Sequence, residues 1–394
     1  MNSTSLRLCA GYFAYFGAVG IFVPFWSPYL ALRGFDSLEI GLLIALVSAA
    51  RSVVPLGLGW LADATHRPTL ILRCAAGLAA ICFALFPYQL RLGSFAMLSL
   101  LFGAFWNSVI PLQDTHTLTH LGSEPGRYGR IRLWGSLGFI VFSWMGGAVF
   151  ARFGYEQVPG LALLPMLATF LVTLTLPSMD LPDVRVSLRG VIPVLRSRAV
   201  MVALLVSALV VMSCGAYYAF FSIWLELNHY SKTAIGLLWA VGVMAEIAVF
   251  AFGPAILVRF SIRSLFIAAA AGTAVRWILV GCAVGQPVLL TLSQLLHCLS
   301  FGVLHFAMVL TAHREFPRGL QNSGQSLFSC VAYGVGGLLG SLLAGVIWTT
   351  VSPRASYVCA AFIVVFATVC AVLGLRGTAL DRDFPNPSGG QSER

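Results

Sequence analysis

The sequence predicts an all-α integral membrane protein, and three observations carry this prediction. Hydrophobic residues make up 59% of the 394 residues and charged residues only 10%, whereas soluble domains carry roughly a quarter charged residues. The apolar residues recur in runs of about 20, the length that a helix needs to cross about 30 Å of hydrocarbon. A transmembrane β-barrel is excluded because its strands would alternate polar and apolar residues in segments of about 10.

Counting the apolar runs predicts twelve spanning helices. The first run resembles a signal sequence only loosely, because it is too long and has no small-residue cleavage site, so we expect a retained first helix. The helices are predicted at Leu8–Leu32, Ile40–Ala62, Thr69–Tyr88, Ser94–Leu118, Leu133–Ala151, Gly160–Pro177, Ala199–Leu225, Ala234–Val258, Ser264–Val284, Pro287–Ala312, Gln325–Val351 and Ala355–Arg376.

Basic residues in the loops predict the orientation. Arginines are concentrated before the first helix and after every even-numbered one, whereas the opposite loops hold only Arg33, Arg91, Arg152, Lys232 and Arg354. Cytoplasmic loops of membrane proteins carry such an excess, so both termini are expected in the cytoplasm of a multi-pass protein of the bacterial inner (plasma) membrane. Topology therefore explains the net charge of +10 better than binding to nucleic acid does.

The longest cytoplasmic loop divides the chain into two halves. We expect a six-helix bundle at 1–178, a linker at 179–198, a second bundle at 199–377 and a disordered tail at 378–394. "GRIRLWGSLGF" after the fourth helix has a weak counterpart, "PRGLQNSGQSLF", after the tenth. An offset of roughly 190 residues between them indicates two parallel repeats, an arrangement typical of transporters that bind their substrate between the halves.

Several motifs resemble one transporter family. "GWLADATHR" resembles the signature Gly-x-Leu-Ala-Asp-Arg-x-Gly-Arg of the major facilitator superfamily, with Ala64 and His66 replacing the usual Arg and Gly. The resemblance extends from Leu6 to Arg376. Within this superfamily the sequence is most similar to the phenylpropionate permease family, relatives of the lactose–proton symporters. It implies a twelve-helix major facilitator fold of two six-helix bundles around a central cavity. The stretches that carry it are "GYFAYFGAVGIFVPFWSPYL", "VIPLQDT", "YGRIRLWGS", "AYYAFFSIW", "LWAVGVMAEIAVF", "VRW" and "QLLHCLSFGVLH".

Few ionisable residues lie inside the predicted spans. A charge at the centre of a bilayer costs about 2.5–3.5 kcal/mol on insertion scales, so it normally faces a partner or a water-filled cavity. Glu246 lies about 18 Å into its helix at 1.5 Å per residue, and Arg276 and Arg51 are similarly central. His297 and His305 of the tenth helix share one helical face with Phe301 between them.

The resemblance implies which of these residues handle protons. Relatives of lactose permease place a carboxylate in the eighth helix, an arginine in the ninth and a titratable pair in the tenth. Glu246, Arg276 and His297 look like the matches, although the tenth helix here has no carboxylate. We therefore expect Glu246 beside Arg276 to carry the proton, with His305 as the alternative carrier. A permanent structural ion pair of Glu246 with Arg276 is the other interpretation.

An aromatic carboxylate such as 3-phenylpropionate would suit the predicted cavity. Arg51 or Arg276 would bind its carboxylate, and aromatic side chains would contact its ring. Asp114 is expected in the cytoplasmic part of the cavity, paired with Arg51 or Arg132, or else at the interface as a helix-end charge. The same aromatic residues could stack on a sugar, or simply pack. The candidate substrate-binding residues are Arg51, Asp114, Trp26, Tyr217, Tyr218, Trp224 and Trp239.

A further set of residues lies at the predicted cytoplasmic helix ends: Asp63, Arg67, Tyr128, Arg130 and Arg132. We expect them to form a gate, in which ionic contacts between the two halves hold the outward-facing state and break on opening. The alternative is that the arginines only set the topology.

The sequence contains no phosphate loop, nucleophile elbow or metal-spaced His/Cys set. We therefore expect no enzyme activity, no cofactor and no metal ion. "GVGGLLGSLLAG" and "GSLGFIVFSWMGG" predict helix-packing seams. The predicted function is proton-coupled symport of a small organic acid by a monomer in the bilayer. Alternatives are a sugar or nucleoside symporter, an effluxer of the same fold and, with no soluble output domain to support it, a non-transporting receptor.

Overall fold

The computed structural model describes residues 3–122, 127–178, 191–257, 259–317 and 320–382. Within these ranges twelve helices are long and apolar enough to cross a membrane, and we label them α1 to α12. This confirms the predicted all-α, multi-pass class. The helices are Ser3–Leu32, Ser37–Ala62, Pro68–Tyr88, Leu92–Leu121, Tyr128–Phe153, Tyr155–Thr175, Arg198–Leu227, Lys232–Ala251, Ile262–Cys282, Pro287–Glu315, Ser323–Thr350 and Pro353–Gly374.

The helix ends follow from local sequence. The side chain of Ser261 accepts a hydrogen bond from the backbone of Ser264 at the start of α9, and Ser352 caps α12 in the same way. Such caps satisfy backbone N–H groups that have no partner within the helix. Gly154, with φ +84°, follows the last residue of α5, and glycine adopts this left-handed conformation without steric cost.

The predicted linker and tail are partly described. Residues 179–190 and 383–394 lie outside the described ranges. Val191–Val194 form a short helix, and Ala379–Asp381 form a 3-10 turn. Asp381 binds Arg263 of α9 at 2.9 Å, and Leu380 is fully buried. The first residues of the predicted disordered tail are therefore ordered, because one apolar and one acidic side chain attach them to the bundle.

Contacts between helices define two halves. In the first half α1 packs on α5 and α6, α2 on α4, and α3 on α4 and α6. In the second half α9 packs on α10 and α12, and α7 on α11 and α12. The halves meet where α2 contacts α11, α5 contacts α8 and α1 contacts α7. This is the two-bundle arrangement that the sequence predicts.

Glycines close the interface between the halves on one side of the molecule, which we call the Leu32 face. A Cβ atom at Gly147 of α5 would lie 2.6 Å from the carbonyl oxygen of Lys232 on α8. A Cβ at Gly41 of α2 would lie 2.8 Å from the carbonyl oxygen of Ser341 on α11. Small residues permit such close helix packing in membranes, and both predicted glycine seams contribute to it.

The opposite side, which we call the Ser3 face, is open between the halves. Contact between α2 and α11 reaches Ser52 and Gly334. Farther toward the Ser3 face, a Cβ at Gly57 or Gly59 of α2 would meet no other atom within 4 Å, and Trp60 is 70% exposed. The structure is therefore closed at the Leu32 face and open at the Ser3 face.

Three helices are irregular near the middle of the second half. The helix of α7 is interrupted at Cys214, between Arg198–Ser213 and Gly215–Leu227. α10 contains a π-helical segment at Leu299–Val303, and α11 contains one at Cys330–Gly336. Because π-helical segments occur frequently at functional sites, these irregularities indicate a functional site near the middle of the second half.

Candidate functional site

Glu246 and His297 form a buried pair at the centre of the second half. Glu246 Oε1 of α8 lies 2.6 Å from His297 Nε2 of α10, and the two side chains are only 14% and 7% exposed. Gly242, one turn before Glu246, permits this approach because a Cβ there would lie 3.2 Å from the imidazole. The Nδ1 atom of His297 has no hydrogen-bond partner.

Arg276 does not pair with Glu246, so that part of the sequence prediction is wrong. Its guanidinium carbon lies 4.1 Å from the centre of the Tyr217 ring. Its Nη atoms donate to Ser300 Oγ at 3.3 Å and to Gln294 Oε1 at 3.4 Å. The physical reason is that His297 already occupies the carboxylate, while the face of Tyr217 attracts the cation.

Arg276 is an unusual charge. It is fully buried, its Nε atom has no hydrogen-bond partner, and among the described residues it forms no ion pair with a carboxylate. Buried charges are normally paired. The positive charge of Arg276 therefore lies near the Glu246–His297 pair, and the groups in direct contact with it are neutral.

The predicted stripe on α10 is present, and Tyr333 connects it to an arginine of the first half. The ring of Phe301 lies 6.2 Å from the ring of His297 and 6.2 Å from that of His305. Tyr333 of α11 lies 5.9 Å from Phe301. Arg51 of α2 lies over the Tyr333 ring, with its guanidinium carbon 4.6 Å from the ring centre. The sequence reasoning missed Tyr333, although it lies only one residue before the glycine seam.

Asp114 of α4 lies in a second polar cluster. Its Oδ1 atom accepts hydrogen bonds from Tyr12 at 2.5 Å and from Tyr128 at 3.0 Å. The predicted ion pair of Asp114 with Arg51 or Arg132 is therefore wrong, since two phenol groups occupy the carboxylate instead. Arg132 lies over the ring of Phe16, 3.9 Å from its centre. Tyr12 was not predicted from the sequence, because it lies on α1 and the polar stretch around Asp114 on α4 does not show which helix packs against it.

The predicted aromatic residues separate into two groups. One group contains Tyr217, Tyr218 and Trp239. The ring centre of Tyr217 lies 4.3 Å from that of Trp239 and 5.7 Å from that of His297. Trp224 instead donates to the carbonyl of Val280 at 2.9 Å and packs within the second half.

Trp26 is also a packing residue. It is 1% exposed and contacts Phe83 and Phe86 of α3, with ring centres 5.0 and 4.9 Å away. It therefore faces its own half, because an aromatic cluster within that half buries the large indole. Trp26 and Trp224 are therefore packing residues, and the prediction that they bind substrate is wrong.

Among the side chains that the structure describes, the predicted gate residues make no contact that joins the halves. Arg67 and Arg130 are exposed at the Ser3 face, and Tyr128 binds Asp114 of its own half. The side chain of Asp63 lies outside the described part of the chain. Since the Ser3 face is open here, the gate stays a prediction for the other state.

A contact at the Leu32 face does join the halves, and the sequence reasoning missed it. Tyr155, at the start of α6, donates a hydrogen bond to Glu226 Oε1 of α7 at 2.5 Å. The Nζ atom of Lys232 of α8 lies 4.0 Å from the centre of the Tyr155 ring. We call these three residues the latch. The available signal was a lone carboxylate at the end of the aromatic face of α7.

Comparison with known proteins gives the family. Residues 5–359 match the MFS_1 like family. The chain is 30% identical to the probable 3-phenylpropionic acid transporter of Escherichia coli (strain K12), over 86% of this chain and 90% of that protein. It is 26% identical to the maltose permease of Geobacillus stearothermophilus, over 92% of this chain and 91% of that protein.

A solved structure gives the same fold. The chain resembles the nucleoside transporter NupG with a TM-score of 0.83 and 17% identity, over 95% of this chain and all of that chain. A likeness at this identity supports the fold and leaves the cargo open. The twelve spans, the two halves and these matches together show a multi-pass membrane transporter for small molecules rather than an enzyme, and the chain belongs to the MFS_1 like family of the major facilitator superfamily.

Proposed function

We propose that this protein imports a small organic acid together with protons, by alternating access. An aromatic carboxylate such as 3-phenylpropionate is the cargo that we favour, because the 30% identical relative is named as its probable transporter. The observation that carries the proposal is the buried pair of Glu246 and His297 near Arg276, an arginine that has no carboxylate partner among the residues that the structure describes.

The charges of this region explain why a proton and an anion would move together. With Glu246 ionised, its negative charge offsets the positive charge of Arg276, and the region is close to neutral. A proton on Glu246 leaves the arginine charge uncompensated at a depth where a charge costs about 2.5–3.5 kcal/mol. A substrate anion bound in the neighbouring cavity between the halves lowers that cost without contacting Arg276. The protonated carrier therefore favours the loaded state, and the deprotonated carrier favours the empty one.

Alternating access then requires the two faces to open in turn. By the distribution of arginines, the open Ser3 face is cytoplasmic and the closed Leu32 face is periplasmic. The latch holds the periplasmic side closed in the inward-facing state. Asp63, Arg67 and Arg130, with their neighbours at the cytoplasmic helix ends, would hold the other state. The halves, at 1–178 and 199–377, would rotate against each other about the central site.

Uptake into proteoliposomes tests the proposal. The wild type is expected to accumulate labelled 3-phenylpropionate against its gradient when the outside is made acidic. Glu246→Gln is expected to exchange substrate across the membrane but not to accumulate it, because the amide cannot release a proton. Glu156→Gln, at an exposed acid of the Leu32 face, is the matched control. Full accumulation by Glu246→Gln would show that this residue does not carry the proton.

A sugar or nucleoside is the second candidate cargo. The cluster of Tyr12, Asp114 and Tyr128 favours it, because phenol and carboxylate oxygens are suitable partners for substrate hydroxyl groups. The relative at 26% identity is named a maltose permease. Maltose in the same uptake assay separates the candidates, since a carrier of aromatic acids is expected to ignore it.

A further inference from the structure

Two buried polar atoms lie on either side of Phe301 without a hydrogen-bond partner. They are the hydroxyl oxygen of Tyr333 and the Nδ1 atom of His305. A buried donor left unsatisfied costs about 1–3 kcal/mol, and folded proteins rarely leave such groups without a reason. Both residues belong to the second half, and both contact the same aromatic ring.

A cation from the first half covers this position. The guanidinium of Arg51 lies on the Tyr333 ring, 4.6 Å from its centre. Among the described residues Arg51 forms no ion pair with a carboxylate. Its register is fixed, because α2 touches α11 where a Cβ on Gly334 would lie 2.8 Å from Ser52 Cα. A planar guanidinium beside two further donors is a suitable receptor for a carboxylate, which it binds through two parallel hydrogen bonds.

Phe301 offers an apolar surface next to these donors. Its ring is nearly parallel to that of His305, with an interplanar angle of 7°. Phe301 lies in the π-helical segment of α10 and Tyr333 in that of α11. The two helix irregularities thus place an aromatic face and a phenol side by side, and an aryl ring packs well against such a face.

We propose that Arg51, Tyr333, His305 and Phe301 form the binding site of a monocarboxylate that carries an aryl ring on a short alkyl chain. This inference rests on the proposed transport function and names the substrate class of the site. The carboxylate binds Arg51 and accepts hydrogen bonds from the Tyr333 hydroxyl and the His305 imidazole N–H, while the ring packs on Phe301. The ligand thereby joins the two halves, which is what a substrate of alternating access must do.

Binding of defined probes to the purified protein in nanodiscs, measured by calorimetry, tests this site. The probes are 3-phenylpropionate, its amide, 3-cyclohexylpropionate and maltose. Arg51→Gln is expected to weaken binding of the acid about 10- to 100-fold, and Tyr333→Phe about 10-fold, the range for hydrogen bonds to a charged group. Phe301→Leu is expected to weaken the phenyl acid about 2- to 10-fold and the cyclohexyl acid less, because it removes an aromatic contact.

Two controls separate the site from general packing. Tyr357→Phe removes the hydroxyl of a buried tyrosine that donates to the Ala216 carbonyl within the second half. Phe306→Leu shortens an aromatic side chain five residues along α10. Both are expected to bind the acid like the wild type, and thermal unfolding of every variant identifies any that fail to fold. His305→Asn retains a donor and is expected to lose less affinity than His305→Ala.

Three results would overturn the inference. They are unchanged affinity for the acid in folded Arg51→Gln and Tyr333→Phe, equal affinity of the wild type for acid and amide, and binding of maltose without binding of the acid. The last result overturns the substrate class alone. Proton coupling would then be judged from uptake of maltose under the same pH gradient, so the two proposals fail separately.

Discussion

Breaking the latch is expected to open the Leu32 face. Tyr155→Phe removes the 2.5 Å hydrogen bond to Glu226, which is a contact between the halves in the state described here. Hydrogen bonds to charged groups contribute about 1.5–3 kcal/mol. We use the lower end because Glu226 is only partly buried. A loss of about 1.4 kcal/mol changes the ratio of the closed to the open state about tenfold.

Lys232→Gln is expected to act in the same direction with a smaller magnitude. A cation on an aromatic ring contributes about 0.5–1 kcal/mol at exposed sites, and we use this lower range because Lys232 is only partly buried. Its removal is therefore expected to change the ratio about two- to fivefold. Since both contacts involve Tyr155, the double variant is expected to show less than the product of the two effects.

Distances between spin labels measure this shift. Leu90 and Val288 are exposed at the Leu32 face, one in each half, at 88% and 72%. Labels at these positions, in a variant whose native cysteines are replaced, report opening as a longer distance. Tyr230→Phe is the matched control, because its hydroxyl donates to the Val284 carbonyl inside the second half. A distance distribution that is the same in Tyr155→Phe and the wild type would refute the role of the latch.

Three further predictions concern stability, each read from thermal unfolding of the purified protein. Gly215→Ala is expected to destabilise by about 1–3 kcal/mol through overpacking, because its Cβ would meet the backbone of α11; Gly160→Ala, which meets nothing within 4 Å, is the control, and equal stability of the two variants would contradict the close crossing. Tyr12→Phe is expected to cost about 1–3 kcal/mol because the buried Asp114 carboxyl group loses a hydrogen-bond partner; an unchanged midpoint would show that this bond contributes nothing. The backbone N–H of Gly377, together with the nearby arginine, lowers the pKa of Asp381 below its usual value of 3.8. Its stabilisation is thus present above about pH 4 and is lost as the pH falls through the lowered folded-state pKa, so Asp381→Asn is expected to unfold more easily than the wild type at pH 7, by a difference that shrinks as the pH falls below about 4; a difference that stays constant over that range would contradict this.

The number and placement of the spans were predictable because the bilayer imposes a length. Twelve apolar runs gave twelve helices, and the predicted start of α10 at Pro287 is where it begins. The glycine seams were predictable for a similar reason, since close helix packing in a membrane needs small residues. These features depend on composition along the chain and require no knowledge of which helix faces which.

The partners of the buried charges were not predictable, because they depend on helix rotation. Glu246 and Arg276 lie at similar depths, yet a carboxylate at mid-membrane contacts only the side chains that neighbouring helices turn toward it. His297 occupies that place, and Arg276 is turned onto Tyr217. The sequence indicated that a partner must exist, and only the structure gives its identity.

The latch and the Asp114 cluster were missed for a different reason. Tyr155 and Glu226 are 71 residues apart, and Tyr12 and Asp114 are 102 apart. A tyrosine in an apolar helix is ordinary in a membrane protein, so it draws no attention until its hydroxyl is placed. Asp114 and Tyr128 were candidates from the sequence, but in separate roles, and the hydrogen bond between them depends on how the helices meet.

Proton movement caused by substrate tests the central claim most directly. Proteoliposomes that contain a pH indicator, with no gradient imposed, are given 3-phenylpropionate from outside, or maltose if that is the cargo that binds. If Glu246 carries the proton, the interior of wild-type vesicles acidifies more than that of protein-free vesicles, whereas Glu246→Gln vesicles, with substrate exchange intact, show no such extra acidification. Substrate uptake by the wild type without any proton entry, or equal acidification by Glu246→Gln, would contradict this claim.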